Sequence, residues 1–190
     1  MFRGRGLNIL GLAKGGCVFL NPEPNDRGSQ PSSSRPFSPA LALAGFVALC
    51  ALVGISDAAV TATSVGTWYA SLHAPLGTPP KWVFGPVWAA LYAAMAVAAW
   101  LAWQRIGASR PLRLWGWQLI VNALWTPAFF GLRNPPLGFA VLAVLVVLVA
   151  ITTRVFWRVR RAAGWLMLPY LAWACYAAYL NAGFWWLNDV

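Results

Sequence analysis

Acidic side chains are nearly missing. Glu23, Asp26, Asp57 and Asp189 are the only four carboxylate residues among 190, and none lies between Ala58 and Asn188. Charged residues make up 9% of the chain, against about 25% in ordinary soluble domains. So few charges cannot cover a water-facing surface, which excludes a soluble globular domain. Histidine occurs once, at His73. With no acid across the main body there is no Ser-His-Asp set and no carboxylate pair, so the chain is expected not to be an enzyme. Cysteines stand at Cys17, Cys50 and Cys175, an odd number and far apart. They form no CxxC, so neither a disulfide framework nor a zinc site is indicated, and they read as small apolar residues. No glycine-rich phosphate loop is present.

What the chain has in quantity is apolar surface, 60% of its residues. Five segments are each about long enough to cross a bilayer core, which needs roughly 20 helical residues. They run over about Pro39–Thr61, Lys81–Ile106, Leu112–Leu132, Pro136–Trp157 and Gly164–Leu187. Ser38 is placed as N-cap of the first, with Pro39 at its first helical position. Ahead of it, Asn21–Pro39 is rich in Pro and Ser and reads as a disordered linker. Lys14 interrupts the first apolar stretch and no A-x-A site follows, so a cleaved signal peptide is not indicated. The expected fold is all-α, an integral membrane bundle of five transmembrane helices over residues 39–190. Residues 1–38 are a disordered extension, or the product of a start codon assigned too far upstream.

Charge placement agrees with that division. Five spans put the N-terminal tail and the second and fourth connections on one side of the membrane. That side carries Arg27, Arg35, Arg105, Arg110, Arg113, Arg154, Arg158, Arg160 and Arg161, while the other carries Lys81 and Arg133. The positive-inside rule then sets the N-terminus in the cytoplasm and the C-terminus outside, in a bacterial cell membrane. The net charge of +10 is explained without nucleic acid, since no basic stripe with interleaved aromatics occurs.

Most of the thirteen tryptophans fall at segment ends or in the first connection, as an interfacial belt requires. Trp88, Trp125 and Trp173 do not; they lie well inside segments two, three and five. An indole N–H at that depth needs a partner or a polar-lined cavity. Asn122 lies three residues before Trp125 on the same face, and Tyr92 follows Trp88 by four. Pro169, Trp173, Ala177 and Asn181 recur every fourth residue as one stripe. Amides at this depth normally face the bundle interior, where they join helices or line a site. The pattern favours a flat, aromatic-lined ligand pocket. The first connection, with Pro75, Pro79 and Pro80 stiffening it, reads as its lid, in which Trp68, Tyr69 and Trp82 are placed to stack on a planar ligand. His73 is a candidate axial ligand to haem iron, or plain polar surface. Asp57 reads as an interfacial acid, with a proton-relay carboxylate as the alternative.

These residues fall into blocks that resemble a known family. Trp68-Tyr69, then Pro79-Pro80-x-Trp82-Val-Phe-Gly-Pro-Val-Trp88 and Leu91-Tyr92, form the first. The second is Asn122-Ala-Leu-Trp125-Thr-Pro-Ala-Phe-Phe-Gly131. The third is Pro169-Tyr170-Leu-Ala-Trp173 with Ala177 and Leu180-Asn181. In order and spacing they resemble the TspO/MBR family (tryptophan-rich sensory protein/translocator protein, or peripheral benzodiazepine receptor family) over about Pro39–Asn188. The resemblance implies a five-helix membrane bundle, commonly a homodimer, that binds protoporphyrin IX or haem and acts in sensing, scavenging or regulation of porphyrin metabolism. Transport of porphyrins or other flat hydrophobic ligands is one alternative it leaves open. Light-dependent porphyrin degradation through Trp88 is another. By motif, the implied pocket uses Trp88, Asn122, Trp173 and Ala177 with Trp68, Tyr69 and Trp82, and no obligatory cofactor.

Three departures from the family pattern stand out. Leu76-Gly77 replaces one or two tryptophans, which lowers the lid's stacking surface, and Ala74-Pro75 replaces Lys-Pro. No Lys or Arg follows Arg161, so the weak sterol motif fails and sterol binding is not supported. Small residues at Ala94, Ala98, Ala174 and Ala178 permit close helix contacts within the bundle or across a dimer.

Overall fold

The computed structural model describes residues 38–188; apart from Ser38, the expected N-terminal extension falls outside the described residues. All regular structure among them is helical. In chain order the elements are α1 (Pro39–Ser64), α2 (Trp68–Ser71), α3 (Lys81–Ile106), α4 (Arg110–Thr126), α5 (Pro135–Val159) and α6 (Arg161–Leu187). Thus there are six α-helices where the sequence reading expected five. The extra one, α2, is a single turn inside the first connection, closed by the Ser71 hydroxyl donating to the Trp68 carbonyl at 2.7 Å.

Local chemistry sets the helix ends. Ser38 Oγ accepts from the Leu41 N–H at 3.2 Å, ahead of Pro39 at the first helical position. Asn134 Oδ1 does the same for Leu137 at 2.9 Å, ahead of Pro135. Each pairing satisfies a donor that the first turn leaves free. Gly107, at φ 60, ends α3 in a conformation that side chains with a Cβ resist. The third expected segment is not one uniform helix. Pro127 has no N–H to continue the ladder, and the chain widens to a π-turn over Pro127–Gly131, closed by Leu132 N–H to the Pro127 carbonyl at 2.8 Å. That turn carries Phe129 and Phe130 into the interior, where both are buried.

Helices α1, α3 and α5 contain 18-residue stretches of mean hydropathy 2.2, 1.6 and 2.6, long and apolar enough to cross a membrane. The five long helices close into a ring in the order α1, α3, α6, α5, α4, with α1 returning against α4 and the π-turn. One core fills the ring with Met95, Leu142, Leu145, Val149, Phe156, Met167 and Tyr170. Ala98 and Ala174 are buried at contacts within this single chain, where small side chains let helices approach closely. A second cluster of Phe129, Phe130, Leu180 and Phe184 lies under the first connection, against Trp68, Tyr69 and Leu72.

Two attachments define how the site is enclosed. Helix α1 has only Cys50 and Ser64 buried. It is held by the Ser64 hydroxyl on the Phe130 carbonyl at 2.7 Å, by Trp100 Nε1 on the Pro39 carbonyl at 2.8 Å, and by Gly54. A Cβ at Gly54 would lie 3.0 Å from the Tyr92 ring. The lid segment, in contrast, is fastened to α6. Asn188 Oδ1 accepts from the His73 N–H at 2.8 Å, and Asn188 Nδ2 donates to the His73 carbonyl at 3.1 Å. Tyr176 donates to the Gly77 carbonyl and Tyr179 to that of Leu76. Pro75 packs on bare Gly183, where a Cβ would come within 2.5 Å of the proline ring.

The tightest backbone approach lies between α5 and α6. A Cβ on Gly164 would lie 2.8 Å from the Trp157 Cα, which is backbone and cannot swing away. Gly164→Ala should therefore cost about 1–3 kcal/mol through overpacking, read as a lower thermal midpoint in detergent. Gly116→Ala, with nothing within 4 Å, should leave stability unchanged or raise it by up to about 1 kcal/mol through helix propensity.

Candidate functional site

A cavity of about 740 Å³ lies between α1 and α3 and ends on α4 and the π-turn. That volume falls within the roughly 300–1,000 Å³ of small-molecule sites. Its two walls differ in kind. Helix α1 contributes the small residues Ala51, Gly54, Ala58 and Ala62, which recur at helical spacing and make the room. The opposite wall brings the aromatics Phe84, Trp88 and Tyr92 from α3, interleaved with Gly85, Ala89, Ala93 and Ala96, and then Trp125 and Phe130. The Trp88 ring is 5.6 Å from Tyr92 and 6.2 Å from Trp125, and Trp125 is 5.9 Å from Phe129. Neighbouring planes in this run differ by 32°, 30° and 24°. Four rings thus follow one another in a continuous run, each tilted on the next, three of them (Tyr92, Trp88 and Trp125) on the cavity wall.

Polar groups on the walls are few and their connections are specific. Tyr92 donates its hydroxyl to Asp57 Oδ2 at 2.5 Å and accepts from Asn122 Nδ2 at 2.7 Å. One chain of hydrogen bonds therefore runs from α4 through α3 to α1, and Thr126 is a second partner of the carboxylate. At the lid end, Lys81 Nζ donates to the Val65 carbonyl at 3.1 Å. Tyr69 also lines this end. Burial pushes its phenol above the ordinary value, so at neutral pH it faces the cavity as an uncharged donor.

A second space of about 30 Å³ lies under the lid, lined by Phe129, Ala177, Leu180, Asn181 and Phe184. Tyr69, Phe84, Trp125 and Phe130 line both spaces and form the partition between them. Asn181 is spent on structure. Its Oδ1 accepts from Trp125 Nε1 at 3.2 Å, and its Nδ2 donates to the Pro135 carbonyl at 2.7 Å.

The candidate residues from the sequence are thus divided. Tyr69, Trp88, Tyr92 and Trp125 line the main cavity, and Ala177 and Asn181 line the small one. Trp68 is half-buried on Phe129 at 5.5 Å. Asn122 is buried one hydrogen bond behind Tyr92. Trp173 lines neither space; its ring lies against Phe84 at 6.0 Å and Tyr176 at 5.5 Å, so Phe84 stands between it and the cavity. Trp82 is 75% exposed and does not close over the site. His73 is exposed, lines neither space, and holds the lid through its backbone. Asp57, expected as an interfacial acid or a relay carboxylate, lines the main cavity. Phe84, Phe130 and the α1 stripe were missed; the spacing of Ala51, Gly54 and Ala58 was the available signal.

Replacing Tyr92 by Phe removes the hydroxyl between Asp57 and Asn122 and strands the buried Asn122 amide. Tyr92→Phe should cost about 1–3 kcal/mol in thermal unfolding. Tyr69→Phe, whose hydroxyl has no hydrogen-bond partner among the described residues, should change the midpoint far less.

Comparison with known proteins bears on what this cavity belongs to. A sequence profile of the TspO/MBR family matches residues 46–187. The translocator protein of Bos taurus is 36% identical over 162 residues, spanning 82% of this chain and 93% of the relative. The tryptophan-rich protein TspO of Archaeoglobus fulgidus is 37% identical, spanning 72% of this chain and 90% of the relative. Protein CrtK of Rhodobacter capsulatus is 40% identical, spanning 75% and 89%. With its apolar helices and a match across most of its length, the chain is a membrane protein that belongs to the TspO/MBR family.

Proposed function

We propose that this chain is a tetrapyrrole-binding protein that takes protoporphyrin IX or haem into the cavity between α1 and α3. Its role would lie in sensing, scavenging or regulation of porphyrin metabolism. The observation that carries this reading is the juxtaposition of a space of about 740 Å³ with the run of aromatic rings Tyr92, Trp88 and Trp125 along its wall. A flat macrocycle gains dispersion and stacking against such a wall, while the α1 stripe of Ala and Gly leaves it room. Lys81 and the neutral Tyr69 phenol, both at the lid end, suit the carboxylate edge of the ring. The apolar edge would lie deeper, toward Val97 and Val47. Binding rather than turnover is proposed, since the cavity holds one carboxylate and no second acid or base partner for it.

The same proposal has all five long helices crossing the bilayer. Helix α4 carries Gln118 and Asn122 and α6 carries Asn181, but all three are buried in the bundle. The outward residues of α4, among them Trp117, Ile120 and Leu124, are apolar and exposed. The polar amides of these helices thus sit on inner faces, which lipid does not meet. Antiparallel alternation puts Arg105, Arg110, Arg113, Arg154, Arg158, Arg160 and Arg161 at one end and Lys81 and Arg133 at the other. By the positive-inside rule the former end is cytoplasmic.

Titration with protoporphyrin IX in the dark, read by tryptophan fluorescence in lipid nanodiscs, tests the reading. Saturable quenching at micromolar ligand is expected. Trp88→Leu and Trp125→Leu should each weaken it roughly two- to tenfold, the worth of an aromatic contact of about 0.5–1.5 kcal/mol. Trp82→Leu should leave affinity unchanged. Absence of saturable quenching, or equal weakening by all three, would contradict the proposal.

A further inference from the structure

Asp57 is a group on the cavity wall that a carboxylate-bearing macrocycle does not use. It sits about two turns in from the C-terminal end of α1, half-buried, with its carboxylate lining the space. Its partners, Tyr92 and Thr126, are neutral hydroxyls. Tyr92 donates to this carboxylate and accepts from Asn122 Nδ2. No Lys or Arg among the described residues is paired with this carboxylate. Lys81, the one cation on the cavity wall, is engaged with the Val65 carbonyl, and Tyr92 lies about 16 Å farther along α3 at 1.5 Å per residue. A carboxylate at such depth is expensive unless a cation meets it, and intramembrane acids of this kind mark binding sites or relays.

We propose that the cavity is also a site for a lipophilic organic cation, a flat protonated amine whose charged group meets Asp57. Its ring system would lie along Trp88 and the small residues of α1. Trp88 and Tyr92 stand beside the carboxylate, so the cation gains aromatic faces as well as the counter-charge. The remaining lining is mostly apolar, apart from Thr61, Thr126 and, at the lid end, Tyr69 and Lys81, which suits an uncharged ring body held with its charge toward Asp57 and away from Lys81. The proposal goes beyond the tetrapyrrole reading and does not depend on it, since porphyrin propionates carry the opposite charge.

The test uses the full chain in phosphatidylcholine nanodiscs, with protein-free discs as baseline, and two probes of nearly equal shape. At neutral pH 9-aminoacridine is a cation and acridine is uncharged. Wild-type protein should bind the cation about tenfold tighter or more, as a desolvated charge contact implies. Asp57→Asn should bring the two affinities within about twofold of each other by weakening the cation alone. Equal binding by wild type, or a preference that survives in the Asn variant, overturns the proposal. If that variant binds neither probe, infrared difference spectra of the wild-type protein labelled with carboxyl-13C aspartate decide. A carboxylate band that moves with 9-aminoacridine and not with acridine supports the site, and an unmoved band overturns it. Protoporphyrin titration of the same samples keeps the two readings apart, because its failure would remove the tetrapyrrole and leave the amine site standing.

Discussion

A hydrogen-bond chain from Asn122 through Tyr92 to Asp57 is the interaction on which the site depends. It joins α4, α3 and α1, and adds to the Ser64–Phe130 and Trp100–Pro39 bonds and the close approach at Gly54 that hold α1, whose buried residues are Cys50 and Ser64. In a bilayer the hydrophobic effect does not drive helices together, so packing and side-chain hydrogen bonds must do so. Such bonds average about 0.6 kcal/mol each and reach about 1.7. The few that α1 makes therefore outweigh thermal energy only together. Beside these attachments the small residues Ala51, Gly54, Ala58 and Ala62 of α1 leave a cavity of about 740 Å³.

The enclosure is correspondingly unequal. Asn188, Tyr176, Tyr179 and Gly183 fasten the lid to α6, while α3, α5 and α6 share a dense core. The least anchored wall is α1, and that wall carries both the small residues that make room and the carboxylate. On the proposed reading, aromatics on one side and small residues of α1 on the other would accept flat ligands of different outline with the same set of rings. The π-turn supports this division. By ending the regular ladder at Pro127 it turns Phe129 and Phe130 inward, extending the aromatic wall past the last turn of α4.

Much of this was legible in the residues. Ser38-Pro39 marked the start of α1, and depth alone singled out Trp88 and Trp125, which both line the cavity. Asp57 was not counted among the pocket residues, since the first segment was expected to stop at Thr61; the helix runs to Ser64, and Asp57 lines the cavity. Trp173 shares a helical stripe with Ala177, as its spacing said, but spacing within one helix cannot reveal that Phe84 of another helix fills the gap. The α1 stripe was overlooked for a different reason. Alanine and glycine at such intervals serve close packing as readily as they leave a space, and only the position of the facing helix decides between the two.

The most direct test of the central account, that flat ligands occupy the space between α1 and α3, is paramagnetic broadening by manganese protoporphyrin. The readout is the alanine methyl signals of 13C-methyl-labelled protein in nanodiscs. The account predicts selective loss of the Ala51, Ala58 and Ala93 signals, all on the cavity lining, with Ala143 and Ala150, exposed on α5, unaffected. Broadening of the α5 alanines with the cavity alanines left sharp would contradict it.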